Sequence, residues 1–487
     1  MRVKVVVFAG VCWLCATLAL GQNSAVNQGI SNITGTGARA LGMGGAFVAL
    51  ADDATAASWN PAGLAQLTRP GVSLVYDWSR GPYDTKAHRV ADYINYPVGH
   101  TITTDTAYHG TLEGSFVGFA GVTYPFVVKS RLFVAQASYR RMASFPTLAG
   151  HSKSTSVGQW ADGRPDTTGG SYVDDKDAFT GGFDSYSLSL ATQLGSKVRV
   201  GVSLNYVTVD VTDRYAQYFH DLSDPVLSEQ DYWLNAEYSF SGGQADLGVQ
   251  WAPISQLTFG AVYHTGFTAK TKQTASQLYN WNADYYGEPP WPLTSSAFET
   301  NVHWPDAYQI GVAWQPVERL ILAADYGAMA WSKAKLDEYQ FPEWDENLQP
   351  TIVTYNDLPF PSYGAKQNDS SSVRVGAEYI LLFGKHTAVP LRAGYFRERQ
   401  LAPLSGFAEG GRIPSPPPTY TGFTLGAGLT YGKVQFDVAW VRTDGTQEGS
   451  GTWDTTSTGG TRTIHYNLTR KITFTQDRIL ASLIVGF

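Results

Sequence analysis

Cysteine is almost absent from this 487-residue chain, and both copies, Cys12 and Cys15, fall within its first fifteen residues. They lie inside an apolar stretch from Val5 to Leu20 that follows Arg2 and Lys4 and ends at the small-residue site Ala19-Leu20-Gly21, the pattern of an export signal. A mature chain beginning near Gln22 would carry no disulfide and no thiolate site, although export leads through an oxidising compartment. Charge is also scarce: 16% of residues are charged, against about 25% in ordinary soluble domains. Loss of Arg2 and Lys4 moves the formal charge from −7 to −9, because residues 1–21 contain no acid. That balance argues against nucleic acid as a partner. Past Gln22 no apolar run approaches the roughly 20 residues of a membrane-crossing helix. The nine histidines show no paired metal spacing.

Aromatics are abundant, at 13% of the chain with 28 Tyr and 14 Trp. Low charge, many Tyr and Trp and no spanning helix fit a transmembrane β-barrel with aromatic girdles. A secreted soluble all-β protein is the alternative. The segment from Lys197 to Tyr206 places Val198, Val200, Val202, Leu204 and Tyr206 on one face and Arg199, Gly201, Ser203 and Asn205 on the other. The same period of two recurs around Tyr186, Tyr308, Phe423 and Phe436, and again in Ile479, Ala481, Leu483, Val485 and the final Phe487. A terminal aromatic in such a strand is the signal read by barrel-assembly machinery. Short joins at 125–130, 195–196, 252–255, 315–318, 384–386 and 432–433 alternate with long polar segments at 80–112, 142–182, 212–231, 270–305, 329–370, 398–419 and 443–468. Bacterial barrels have this asymmetry of short periplasmic turns and longer outer loops. The count is about fourteen strands, an even number. Their starts fall near Gly71, Gly114, Arg131, Phe183, Lys197, Trp233, Gln256, Asp306, Glu318, Ser371, Thr387, Tyr420, Lys433 and Thr473. Closure leaves no free sheet edge, so each barrel is expected to work as a monomer.

Residues 22–67 do not alternate. Glycine crowds 35–45, and an Ala-rich run from Asp52 leads to Trp59-Asn60-Pro61-Ala62. Asp52 or Asp53 would cap a short helix that Pro61 stops. A barrel of this size leaks unless filled, and a segment of about 45 Gly- and Ala-rich residues can pack closely inside it. The expected organisation is therefore an export signal over 1–21, a plug over 22–67 and a barrel over 68–487.

The stretch Gly37–Leu64, with its Gly42-Met-Gly-Gly45 and Asn60-Pro61-Ala62, resembles the start of the FadL/TodX family of outer-membrane transport proteins. Leu257–Tyr263, Trp304–Gly311, Val373–Tyr379 and Leu391–Tyr395 are similar too. The resemblance implies a fourteen-stranded barrel plugged by an N-terminal hatch whose motif is Asn60-Pro61-Ala62. It also implies passive uptake of long-chain fatty acids or other hydrophobic compounds across the bacterial outer membrane. Family members release ligand sideways beside a kinked third strand, whereas Arg131–Arg140 here contains neither Gly nor Pro.

Ligand-contact candidates are the aromatics Tyr279, Trp281, Tyr285, Tyr286, Trp291 and Phe298 of the 270–305 segment, which would form either a capturing groove or the upper girdle. Inward Arg199, Arg374 and Arg392 would hold a fatty carboxylate or pair with Glu378, Asp325 or Asp246. No catalytic constellation, cofactor motif or metal site is expected: Gly42–Gly45 has neither the preceding strand nor the Lys-Ser/Thr of a phosphate loop. A second class of function shares these features, a barrel that serves as secretion-system partner or surface-protein shuttle and binds proteins.

Overall fold

The computed structural model describes residues 34–94, 100–144, 147–160, 165–166, 171–221, 230–280, 295–344, 350–359, 368–384, 387–401, 407–408, 411–412, 417–456 and 463–487. A closed antiparallel barrel of fourteen strands accounts for most of them. The strands are β1 (Gly71–Ile94), β2 (His100–Val128), β3 (Arg131–Ser144, continued by Thr147–Trp160), β4 (Ser171–Leu194), β5 (Val198–Asp221), β6 (Gln230–Ile254) and β7 (Leu257–His264, Phe267–Asn280). They continue as β8 (Ser295–Trp304, Ala307–Val317), β9 (Leu320–Met329, Lys335–Trp344), β10 (Pro350–Pro359, Ser370–Phe383), β11 (Thr387–Arg399), β12 (Thr419–Tyr431), β13 (Val434–Thr456) and β14 (Thr463–Gly486). β1 closes the ring against β14, from Gly71–Gly486 to Ile94–Thr463.

The short joins are tight turns. Lys129 and Ser130 both take positive φ, 46° and 65°, as a two-residue hairpin whose twist matches its strands requires. The long segments differ from the sequence expectation. Most of 80–112, 142–182, 212–231, 270–305, 329–370 and 443–468 is strand, because the hairpins run on past the belt: β2 alone has 29 residues, where a membrane needs about 9–11. Above the membrane the outward face meets water, so the outward apolar residues that mark the belt end while the backbone ladder persists. The Ser241-Gly242-Gly243 step likewise lies within continuous β6.

The outer surface is an apolar belt. Leu188, Leu204, Leu247, Ile310, Val373, Leu425 and Leu483 are exposed, while their strand neighbours Ser189, Ser203, Asp246, Gln309, Arg374, Thr424 and Ser482 are buried toward the lumen. On the turn side the belt is rimmed by Tyr124, Trp251, Phe259, Trp314, Phe383 and Tyr431, and on the other side by Tyr76, Tyr186, Tyr206, Tyr263, Tyr308 and Tyr326. An apolar band between two aromatic rims is the surface of an outer-membrane barrel. No helix of the described residues is long and apolar enough to cross a membrane.

Candidate functional site: the filled lumen

Residues 34–67 lie inside the ring. They contain one helical turn, α1 (Ala38–Gly42), and two 3-10 turns, Ala56–Ser58 and Pro61–Gln66. Asn60 caps the last of these, its Oδ1 accepting from Ala62 N at 3.1 Å. Pro61 therefore begins a helical turn and does not stop one, since its missing N–H falls where no partner is needed. The Asn60 Nδ2 donates to Val48 O within the segment and to Val249 O on β6, at 3.0 and 3.1 Å. Thus one fully buried side chain shapes the turn and fastens it to the wall.

Wall side chains meet several of the segment's backbone polar groups. Asp325 Oδ2 on β9 accepts from Phe47 N and Val48 N at 2.6 and 2.8 Å. Gln250 donates to Ala49 O, Gln136 to Ala54 O and Arg140 to Ser58 O. Thr424 exchanges bonds with Gly42 O and Gly44 N, and Ser482 accepts from Ala38 N. Steric fit is equally close. A Cβ added to Gly201 would lie 2.3 Å from Pro61 C, at Gly248 2.1 Å from Asn60 Oδ1, and at Gly394 2.2 Å from Gly44 N. The wall leaves these side chains off where the segment touches it.

The segment's single cation, Arg39, closes this contact. It donates from Nη2 and Nε to the two oxygens of Glu378 at 3.0 Å each, and from Nη1 to Asp52. Glu378 also accepts from Arg392, whose Nη1 reaches Asp437 at 2.7 Å. Burial raises the Asp53 carboxyl above its ordinary range, against the pull of Arg39.

Of the sequence-predicted lumen arginines, Arg392 is thus held between carboxylates. Arg374 donates to Thr34 and Glu398 at 2.8 Å, and the half-buried Arg199 meets Gln250 at 3.4 Å. Tyr279 and Phe298 lie on β7 and β8, in stretches whose side chains lie outside the described set, as do Trp281, Tyr285, Tyr286 and Trp291 altogether. The structure does not bring those aromatics and the arginines into one described site.

Sequence reasoning missed an apolar layer above the segment. Phe183, Val207, Val209, Phe267, Trp304, Met329 and Trp331 are buried together inside the barrel. Trp304 is its hub, with ring centroids 4.9 Å from Trp331 and 5.1 Å from Phe183, both edge to face. These residues fall in or beside segments read as loops, where their inward alternation went uncounted. Next to the layer, a cavity of about 160 Å³ lies between the segment and the wall, lined by apolar Leu41, Phe116 and Phe396 and equally by polar Asp77, Arg374 and Arg478. There, among the described residues, the β2–β3 ladder ends at Phe119–Arg140 and resumes at Glu113–Thr147. Arg141, at that gap, forms a bidentate pair with Asp184 at 2.9 Å, and Tyr139 donates to the same carboxylate.

No family model and no curated protein sequence matches the chain. Solved structures do. A Pseudomonas aeruginosa FadL homologue aligns over 93% of this chain and 98% of its own, with TM-score 0.55 and 14% identity. The Pseudomonas putida toluene transporter TodX aligns over 94% and 100%, with TM-score 0.52 and 14% identity. The CymD monoaromatic hydrocarbon channel aligns over 94% and 98%, with TM-score 0.50 and 16% identity. At such identities the likeness is one of fold: this chain is built as a FadL- and TodX-like barrel.

Proposed function

We propose that the barrel takes up hydrophobic small molecules across the bacterial outer membrane. The observation that carries this reading is the aromatic layer around Trp304, a contiguous apolar cluster inside the lumen. A barrel that passed water-soluble solutes would keep its interior polar, whereas an apolar layer gives a hydrophobic ligand a place to leave water. Ligand enters from the long hairpins, dissolves into this layer, and reaches the cavity beside residues 34–67. It leaves sideways through the β2–β3 gap, where the Arg141–Asp184 pair stands in its way. Residues 34–67 act as a hatch, and they shift only when ligand binds the open arrangement better than the closed one. Arg374 and Arg392 already hold carboxylates, so an uncharged hydrocarbon displaces less than a fatty-acid anion. The TodX and CymD barrels, described as toluene and monoaromatic hydrocarbon channels, support that preference.

Native mass spectrometry of gently extracted protein tests the proposal against the protein-shuttle alternative. Uptake predicts a small hydrophobic molecule in the wild-type lumen, depleted in Trp304→Ala. A stable protein partner with no such molecule would overturn it.

A further inference from the structure

The outside of the barrel is not uniform. Across β2 to β6 the register aligns Ala120, Tyr139, Tyr186, Tyr206 and Gly243 in one outward row. The row beneath, nearer the middle of the belt, contains Ala137, Leu188, Leu204 and Ala245. Small residues at both ends leave a cleft of about 990 Å³ in the lipid-facing wall. Gly243 is the telling position. Its φ is ordinary and a Cβ there would meet nothing within 4 Å. The β6–β7 register slips by one residue across this stretch, from Asp246–His264 to Ser241–Lys270, and glycine at such a bulge leaves the wall open toward lipid.

Above Tyr206 the cleft runs into a polar groove of about 560 Å³, on the long-hairpin side and so at headgroup height in the outer leaflet. Two cross-strand rows build it: Thr208, Ser241, Lys270 and Asn301, then Asp210, Ser239, Lys272 and Glu299. Lys270 and Lys272 are exposed, and among the described residues neither forms an ion pair. Two ammonium groups one dipeptide apart suit a phosphate. The surrounding hydroxyls, amide and carboxylates suit a head rich in hydroxyl donors, and Tyr206 between the two compartments suits the junction of sugar and acyl chain.

We infer that this outer face binds one phosphorylated glycolipid of the outer leaflet, with acyl chains in the cleft walled by Tyr186 and Tyr206 and phosphate on Lys270 and Lys272. The site lies on the opposite side of the wall from the lumen layer and does not depend on what the lumen carries.

The test incubates the detergent-purified full chain with lipid A or with phosphatidylethanolamine and counts retained lipid by native mass spectrometry. Wild type is expected to keep one lipid A and to lose phosphatidylethanolamine. Lys270→Ala/Lys272→Ala and, separately, Gly243→Leu should retain lipid A about tenfold less well, with the heat-modifiable gel migration of a folded barrel unchanged. Gly243→Leu leaves both lysines in place and only fills the cleft. Equal retention by the variants, equal retention of both lipids, or no retention by wild type would overturn the inference.

Discussion

At the scale of single residues, function concentrates in side chains that belong to two structures at once. Glu378 is fixed in β10 yet spends its two oxygens on Arg39 of the inner segment and Arg392 of the wall. Removing one member of so buried a network costs about 3–5 kcal/mol, because its partners stay charged. Glu378→Gln should therefore leave the barrel folded but loosen residues 34–67, seen as steps of conductance in planar bilayers where wild type is quiet. Arg39→Ala should do the same, and the double variant should add little. Asp53 behaves differently. Its carboxyl is raised by burial, so its favourable contribution is present at acid pH and lost as pH rises through the raised value. Asp53→Asn keeps an acceptor for Thr55 and removes the buried charge. At pH 7 its inner segment should resist protease at least as well as wild type, and the difference should shrink as pH falls. The sequence made Arg392 and Glu378 visible as an inward pair of candidates, because strand alternation assigns faces. Arg39 was not legible as their partner, since nothing local says where an irregular segment will lie.

At the scale of elements, the belt was legible and the rest of each strand was not. Leu188, Leu204 and Tyr206 alternate with Ser189, Ser203 and Asn205 because one face meets lipid and the other the lumen. Farther along β5, from Thr208 upward, the outward face meets water and the pattern inverts: Val207 and Val209 face the lumen while Thr208 and Asp210 face out. The seat of the inner segment was hidden for another reason: Gly201, Gly248 and Gly394 read as ordinary small inward residues, and only the fold reveals what each lies against. Gly394→Leu is expected to leave strand content by circular dichroism unchanged while raising hydrogen exchange in 40–50 at least tenfold, as a side chain displaces Gly44. Unchanged exchange would show that the contact is slack. The β2–β3 gap is an element-scale feature too. Neither Gly nor Pro within Arg131–Arg140 announces it; it coincides with register shifts on both flanks, between Arg141 and Ala143 against β4 and at Gly118 of β2 against β1.

At the scale of the whole molecule, one barrel separates three environments. Its belt is dissolved in hydrocarbon, its long hairpins stand in water, and its lumen holds a folded segment beneath an aromatic layer. In the uptake proposed above, that arrangement would let an apolar molecule change solvent without crossing a polar surface layer exposed. Flux across the wall measures this directly. Proteoliposomes containing the full chain should equilibrate radiolabelled toluene across a lipopolysaccharide outer leaflet faster than protein-free vesicles. Trp304→Arg, which sets a charge in the aromatic layer, should return the rate to that of the vesicles while a folded barrel remains. If Trp304→Arg transports as fast as wild type, or if wild type adds nothing to the protein-free rate, the lumen is not a path for hydrophobic molecules.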